Sequence, residues 1–188
     1  MIKRLINLYL KRKSNKIRSF DSFSKSLLDI SSLSRNDAYN YFHQAFHHAS
    51  PQWLIDHRAY FSKESRSFGE DAFHSMWLHI FNEFKPKNII EIGVYRGSTL
   101  SLFSLLSKQL SLDAEIHGIS PFTHVGDSVS QYLSNLNYEL DVINNFKYFN
   151  LDLPVLHKGL SQDASMIEVL NSKKWDLIFI DGNHRRIL

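Results

Sequence analysis

Four short apolar runs, separated by helical segments, occupy the second half of the sequence. The runs lie at residues 88–92, 114–119, 154–157 and 175–180. The helical stretches between them lie at 98–109, 128–150 and 163–172. Strands that alternate with helices form βαβ units, in which the strands run parallel and helices pack on both faces of the sheet. The sequence therefore predicts an α/β fold with an incomplete parallel sheet of about four strands.

The first 86 residues precede this pattern and are predicted to be helical. We expect residues 1–48 to form a basic N-terminal helical extension, 49–86 a helical cap region and 87–188 the partial α/β domain. The helix before residue 86 places five large apolar side chains on one face, which we expect to be core. These side chains are Phe73, Trp77, Ile80, Phe81 and Phe84.

The positive charge of the chain is concentrated at its start. Residues 1–20 hold seven of the 22 Lys and Arg residues and none of the 19 Asp and Glu residues. Such a segment either lies on an anionic membrane surface or nucleic acid, or is a solvated helix that packs its apolar side on the protein. We expect the solvated helix, no nucleic-acid partner, and at most a weak membrane-surface contact through residues 1–18.

Several classes of site can be excluded by residue type. The chain has no cysteine, so it has no disulfide, thiolate nucleophile or Cys-ligated metal. His43 and His47 have the spacing of a zinc-protease helix, but the intervening general base is replaced by Gln44, so we interpret the pair as coincidental. No run approaches the roughly 18 apolar residues that span a bilayer, and we expect a soluble, cytoplasmic protein.

The turn after the first apolar run carries the clearest chemical signal. Glu91 stands two residues before Gly93, and Gly97 follows at a Gly-x-x-x-Gly spacing before Ser98 begins a helix. The dinucleotide fingerprint G-x-G-x-x-G and the Gly-Lys-Ser/Thr of a P-loop are both missing. An acid near the free amides of a helix start suits a ligand with an ammonium and a carboxylate. S-adenosylmethionine is such a ligand.

Residues from about 51 to 184 resemble the class I S-adenosylmethionine-dependent methyltransferases, particularly the small-molecule and sugar O-methyltransferase-like branch. The matching segments are FGEDAFHSMW at 68–77, EIGVYRGS at 91–98, GISPF at 118–122, KGLS at 158–161 and DLIFIDGNH at 176–184. The resemblance implies a Rossmann-like sheet, S-adenosylmethionine as cofactor and a small-molecule or glycan substrate.

The resemblance also implies roles for individual residues. The methionine end of the cofactor is expected at Glu91, Gly93 and Gly97, with loop contacts from Tyr95, Arg96 and Ser98. Ribose and adenine are expected near Ser120 and Phe122, where relatives usually have an acid in place of Ser120, and near Ser161 and Gln162. Asp181 is expected at the cofactor and as a catalytic residue that, in metal-dependent relatives, holds a Mg²⁺ ion orienting the substrate hydroxyl. His184 is expected as the general base for the same hydroxyl.

Three local interpretations stay open beside these roles. Glu91 could be paired locally, Asp181 could cap a turn with Gly182, and His74, with its neighbouring acids, either covers the cofactor or stabilises the start of its helix.

Members of this class continue through further strands after the DGNH segment. The chain ends at Leu188, so we expect a truncated product or a fragment whose fourth strand is an exposed sheet edge. Three functions follow as hypotheses: a methyltransferase, an inactive remnant or binding module for S-adenosylmethionine, and a membrane-surface or nucleic-acid-binding protein that acts through its basic arm.

Overall fold

The computed structural model describes residues 23–123 and 136–182. The basic arm and His184 lie outside these residues. Four helices come first: α1 (Leu27–Ser31), α2 (Arg35–Ala49), α3 (Gln52–Phe61) and α4 (Asp71–Phe84). The remaining elements are β1 (Asn88–Ile92), α5 (Ser98–Gln109), β2 (Glu115–Ser120), α6 (Tyr138–Tyr148), β3 (Val155–Lys158), α7 (Ala164–Asn171) and β4 (Leu177–Ile180).

Local side-chain and backbone signals set several of the helix ends. The hydroxyl of Ser34 accepts a hydrogen bond from the backbone N–H of Asp37 and so caps α2, as short polar residues commonly do. Asn137 caps α6 in the same way, and this helix begins at Tyr138. The part of the predicted helical stretch at 128–135 lies outside the described residues. At the end of α4, Lys85 adopts a left-handed φ of 48° before Pro86.

The four strands form one parallel sheet in the order β3-β2-β1-β4. β1 pairs with β2 from Asn88–Glu115 to Ile92–Ile119, and with β4 from Ile89–Leu177 to Ile92–Ile180. The chain therefore proceeds outward from β1 to β3 and then returns to the opposite side of β1. In open α/β sheets such a reversal creates a crevice at the carboxyl ends of the strands, where ligands bind.

Alternate residues of β1 face two separate apolar layers. Ile89 is fully buried in the larger core, which includes Phe81 of α4 and Phe103 of α5. Ile90 is fully buried on the other face, where Met166 of α7 packs. Helices thus cover both faces of the sheet, as predicted, and the fold is the Rossmann-like α/β class expected from the sequence.

The predicted core face of α4 is only partly correct. Trp77 and Phe81 are buried, but Phe73 is 47% and Phe84 69% exposed. Phe73 lies in the first turn and Phe84 is the last helical residue, so both lie beyond the middle of the helix, where its neighbours pack. Among the described strands, β4 is the last in the sheet order, and its Ile178 and Ile180 side chains are 50% and 58% exposed.

Among the described helices, none combines the length and apolarity required to cross a bilayer.

Candidate functional site

The crevice at the switch point is formed by the ends of three strands that are hydrogen-bonded to one another. The backbone N–H of Gly93 donates to the carbonyl of Ile119 at 2.9 Å, and the N–H of Asp181 donates to the carbonyl of Ile92 at 2.9 Å. These bonds fix the β1 turn between the ends of β2 and β4. The residues predicted from three separate sequence segments therefore meet at one edge of the sheet.

The two glycines of the turn are required by the protein's own packing. Gly93 has a φ of 101°, and a Cβ there would lie 2.6 Å from the backbone of Asp181 and Gly182. Gly97 has a φ of 75°, and its Cβ would lie 3.0 Å from Val142 of α6. The sequence argument that a glycine is needed for a sharp turn is correct for both, whereas the close neighbours are protein atoms and not a ligand surface.

Glu91 is the chemically unusual group of this turn. The residue is only 4% exposed, and its Oε2 atom has no hydrogen-bond partner among the described residues. Burial raises the pKa of the Glu91 carboxyl well above its usual value, the nearby Asp181 carboxylate raises it further, and a hydrogen bond with the backbone of Leu100 lowers it. No basic group in the described part of the chain forms an ion pair with it, so the predicted alternative of a local ion pair is not what is observed.

Arg96 turns away from the crevice into the protein. Its Nε donates to Oδ2 of Asp141 at 2.6 Å, and its Nη1 donates to the carbonyl of Glu64 at 2.8 Å. The backbone carbonyl of Arg96 accepts a hydrogen bond from Asn145, which itself accepts one from the hydroxyl of Tyr60. Arg96 thus joins the turn to α6 and to the loop after α3. The side chain of Arg96 is therefore engaged in this ion pair, and the expected loop contact of Arg96 with a cofactor stays a prediction for its backbone.

Three aromatic rings line the turn next to Arg96. The ring of Tyr95 lies 5.4 Å from that of Tyr138 and 5.3 Å from that of Phe68, measured between centroids. Burial, with a contribution from Tyr138, raises the pKa of Tyr95 to about 12. Tyr95 is therefore a neutral hydroxyl at physiological pH. Phe68 is 67% exposed, so its ring adds apolar surface beside Tyr95.

The end of β2 is organised around the hydroxyl of Ser120. This hydroxyl donates to the carbonyl of Val94 at 2.9 Å and accepts from the N–H of Phe122 at 3.3 Å. Ser120 has only one proton to donate, so the bond to Val94 uses it. Phe122 is 5% exposed and has a left-handed φ of 52°. The segment predicted to meet the ribose therefore has its polar group directed at the β1 turn.

The remaining predicted residues lie on either side of these strand ends. Ser161 and Gln162 are exposed in the turn between β3 and α7. Asp181 is exposed directly after β4, and Ser98 is the first residue of α5. Among the described residues, Asp181 belongs to no cluster of three metal-ligating side chains.

A buried histidine pair behind the turn was not predicted as a connected unit. His57 Nδ1 lies 3.1 Å from His74 Nε2, and His57 Nε2 lies 3.0 Å from the hydroxyl of Ser101, which donates to the carbonyl of Ser98. Burial lowers the pKa of His57 well below its usual value and that of His74 to about 4. His74 is thus buried in the protein, where the pair joins α3 and α4 to the first turn of α5, and its own Nδ1 lies 3.4 Å from the carbonyl of Glu70 at the start of α4. No local sequence pattern predicts this arrangement, because His57, His74 and Ser101 lie on three different helices.

Comparison with known proteins supports the fold. No family model matches the sequence, and no curated protein sequence matches it either. The crystal structure of the SAH-bound Podospora anserina methyltransferase PaMTH1 is similar, with a TM-score of 0.53 and 19% identity over 80% of this chain and 60% of that chain. The apo-structure of CmcI-N160 gives a TM-score of 0.39 and 27% identity over 60% of this chain and 40% of that one. The chain thus spans about 60% of the length of PaMTH1, and it has the Rossmann-like α/β fold of that methyltransferase.

Proposed function

We propose that this chain binds S-adenosylmethionine at the carboxyl ends of β1 and β2 and forms part of a methyltransferase that acts on an oxygen of a small molecule or glycan precursor. The observation that carries the proposal is the Oε2 atom of Glu91, which is buried at the switch point and has no hydrogen-bond partner among the residues that the structure describes.

A buried carboxylate oxygen without a partner is costly, at about 1–3 kcal/mol for the unmade hydrogen bond alone. A ligand ammonium supplies both the missing donor and the opposite charge, and it would lower the raised pKa of Glu91. The first amides of α5 lie directly after the turn and have no partner within the helix, so they suit the ligand's carboxylate. Together they match the amino-acid end of S-adenosylmethionine.

The fold comparison supports the choice of this ligand. PaMTH1, which has the same fold, was crystallised with SAH bound, and S-adenosylmethionine differs from SAH by the methyl group that it supplies when bound. Tyr95 and Phe68 provide an aromatic wall beside the turn. Phe122 lies buried at the end of β2, where we place the nucleoside half of the cofactor.

For methyl transfer, we assign the acceptor end of the site to the segment that follows β4. Asp181 lies there with its exposed carboxylate, which can accept a hydrogen bond from a substrate hydroxyl. His184 remains the proposed proton acceptor for that hydroxyl. Because the chain covers 60% of PaMTH1, the reaction and the acceptor are proposed for the whole protein. The described residues supply the cofactor half of the site.

The test is binding of SAH by calorimetry, with Glu91→Gln as the variant and Glu115→Gln as the matched control. Glu115 is a half-exposed glutamate at the amino end of β2, where it pairs with Lys173. We expect Glu91→Gln to weaken binding at least about tenfold, since it removes a charge-assisted hydrogen bond of about 1.5 kcal/mol or more. Glu115→Gln should bind as the wild type does.

Stability measurements separate loss of the ligand contact from loss of the fold. The pKa of Glu91 is raised in the folded state, so its contribution to stability is full below the ordinary glutamate pKa and is lost as pH rises through the raised value. The neutral amide of Glu91→Gln avoids that loss. The variant should therefore be at least as stable as the wild type at pH 8. Absence of SAH binding to wild type at millimolar concentration would refute the proposal, and binding without methyl transfer would indicate the binding-module alternative.

A further inference from the structure

The helical cap contains a cluster of metal-ligating side chains away from the crevice. One ring nitrogen from each of His43 and His47 and one carboxylate oxygen of Asp71 all lie within 4.8 Å of one another. The two histidines are one turn apart on α2, and Asp71 is the first residue of α4. Gln44 stands where a zinc protease has its general-base glutamate, so hydrolysis is disfavoured, but metal binding does not need that residue. The histidine pair lacked a third ligand in the sequence, and the structure brings Asp71 to it.

We propose that His43, His47 and Asp71 form a binding site for a divalent transition-metal cation of the zinc class, which ties α2 to the start of α4. Two imidazoles and a carboxylate are the ligand types that zinc accepts, with a water in the fourth position. The site is independent of the proposed cofactor crevice.

The distances of the cluster are close to those that zinc requires. Ligand atoms at about 2.1 Å from a tetrahedral zinc ion lie about 3.4 Å from each other. His47 Nε2 is 3.1 Å from Asp71 Oδ2, so this pair already has the required separation. The widest pair must close by at most about 1.4 Å. The side chain of His47 is 46% exposed, which leaves it room to rotate.

Two further contacts prepare these ligands. Nδ1 of His43 is buried without a hydrogen-bond partner among the described residues, and its ring stacks on that of Tyr39 at an interplanar angle of 10°. Asp71 Oδ1 accepts a hydrogen bond from Arg58 Nε at 2.9 Å, which orients the carboxylate so that its other oxygen faces His47. Such outer contacts are the usual means of fixing metal ligands.

Arg58 also makes the cluster explicable without a metal. Its guanidinium and His47 could both serve simply as ion-pair partners of Asp71, and its positive charge opposes a dication. The two explanations differ in the effect of replacing His43 on Zn²⁺ affinity. A metal site needs His43 as a ligand, whereas an ion-pair cluster does not, because His43 makes no ion pair with Asp71. The experiment must therefore compare histidines of the same helix.

In the experiment, Zn²⁺ is titrated into the untagged, chelator-treated full chain in competition with a chromophoric chelator, which measures the affinity. A second titration uses Co²⁺, whose visible absorption reports whether the ligands are arranged tetrahedrally. The variants are His47→Gln and His43→Phe, which keeps the ring. The control is His48→Gln, an exposed histidine on the same helix. We expect one equivalent of Zn²⁺ to bind the wild type and His48→Gln. Each of the other two variants should bind it at least about tenfold more weakly.

A second measurement addresses the role as a tie between helices. Zn²⁺ should raise the thermal midpoint of the wild type and of His48→Gln, because a ligand that binds only the folded state stabilises it, and it should not raise that of His47→Gln. His47 is half-exposed, so this variant keeps its fold without metal, which circular dichroism verifies. A Zn²⁺ affinity of His43→Phe or His47→Gln equal to that of His48→Gln would overturn the proposal and leave an ion-pair cluster. Failure of the wild type to bind one equivalent of Zn²⁺ with a dissociation constant below about 100 µM would overturn it as well.

Discussion

Replacing Gly93 by alanine tests the geometry on which the crevice depends. Gly93 directly follows β1 and has a φ of 101°, and a Cβ at this position would meet the carbonyl carbon and oxygen of Asp181 and the Cα of Gly182, each at 2.6 Å. All three neighbours are backbone atoms of the segment after β4, which is held by the hydrogen bond from Asp181 to Ile92. The added methyl group therefore cannot be accommodated by a side-chain rotation.

The expected loss of stability follows from two terms. A non-glycine residue in a sparsely populated backbone region costs about 1–3 kcal/mol, and forcing an extra methyl group into a packed site costs about 1–3 kcal/mol more. Gly93→Ala should therefore lower the free energy of unfolding by about 2–6 kcal/mol, a large share of the 5–15 kcal/mol that is typical of a domain. At a urea m-value of about 2 kcal/mol per M, the midpoint falls by about 1–3 M.

The assay is equilibrium urea denaturation, with Gly182→Ala as the matched control. Gly182 lies beside Gly93, but a Cβ on it would meet nothing closer than 3.8 Å, and its φ is not positive. This control should change the unfolding free energy by less than about 1 kcal/mol, in either direction. If both variants unfold at the same urea concentration, the close approach of the β1 and β4 ends is refuted.

Two further predictions concern buried polar groups. Arg96→Met leaves Asp141, whose side chain is 15% exposed, without its partner, so the unfolding free energy in urea should fall by about 3–5 kcal/mol. Lys158→Met at the exposed pair with Glu139 should cost less than about 1 kcal/mol, and an equal effect of the two would contradict the burial argument. The pKa of His74 is lowered to about 4, so its contribution to stability is full above pH 6.5 and is lost as pH falls toward 4, by about 3 kcal/mol. In urea titrations over this pH range, His74→Gln should lose less stability than the wild type as the pH falls. If the unfolding free energies of the two proteins depend on pH equally, His74 is protonated as readily in the folded state as in the unfolded state, and the prediction is wrong.

The elements with local signals could be predicted from the sequence. β1 and α5 have the predicted ranges, Asn88–Ile92 and Ser98–Gln109, because a short apolar run and a glycine before an amphipathic stretch mark them within a few residues. The parallel sheet followed from the alternation of such segments. The cap of α6 at Asn137 could not be predicted, since Asn137 is one polar residue among many in that stretch.

The roles of individual site residues were less accessible. Glu91 could be predicted as the acid of the turn, but its unpartnered oxygen depends on what lies around it in three dimensions. Arg96 was expected to contribute a loop contact to the cofactor, but the sequence did not indicate that its side chain pairs with Asp141, 45 residues further along. The metal-ligand cluster depends on Asp71 reaching a pair of histidines on another helix.

Sequence by itself determined the elements, their order and the acid-glycine turn of this protein, because hydrophobic periodicity and backbone preferences act over a few residues. Only the tertiary structure decided that Gly93 must be glycine because the backbone of residue 181 touches it, and that Oε2 of Glu91 has no hydrogen-bond partner among the described residues. It also decided that Asp71 lies beside His43 and His47. These facts depend on the distances between segments that are far apart in the chain, and side-chain packing sets those distances when the chain folds.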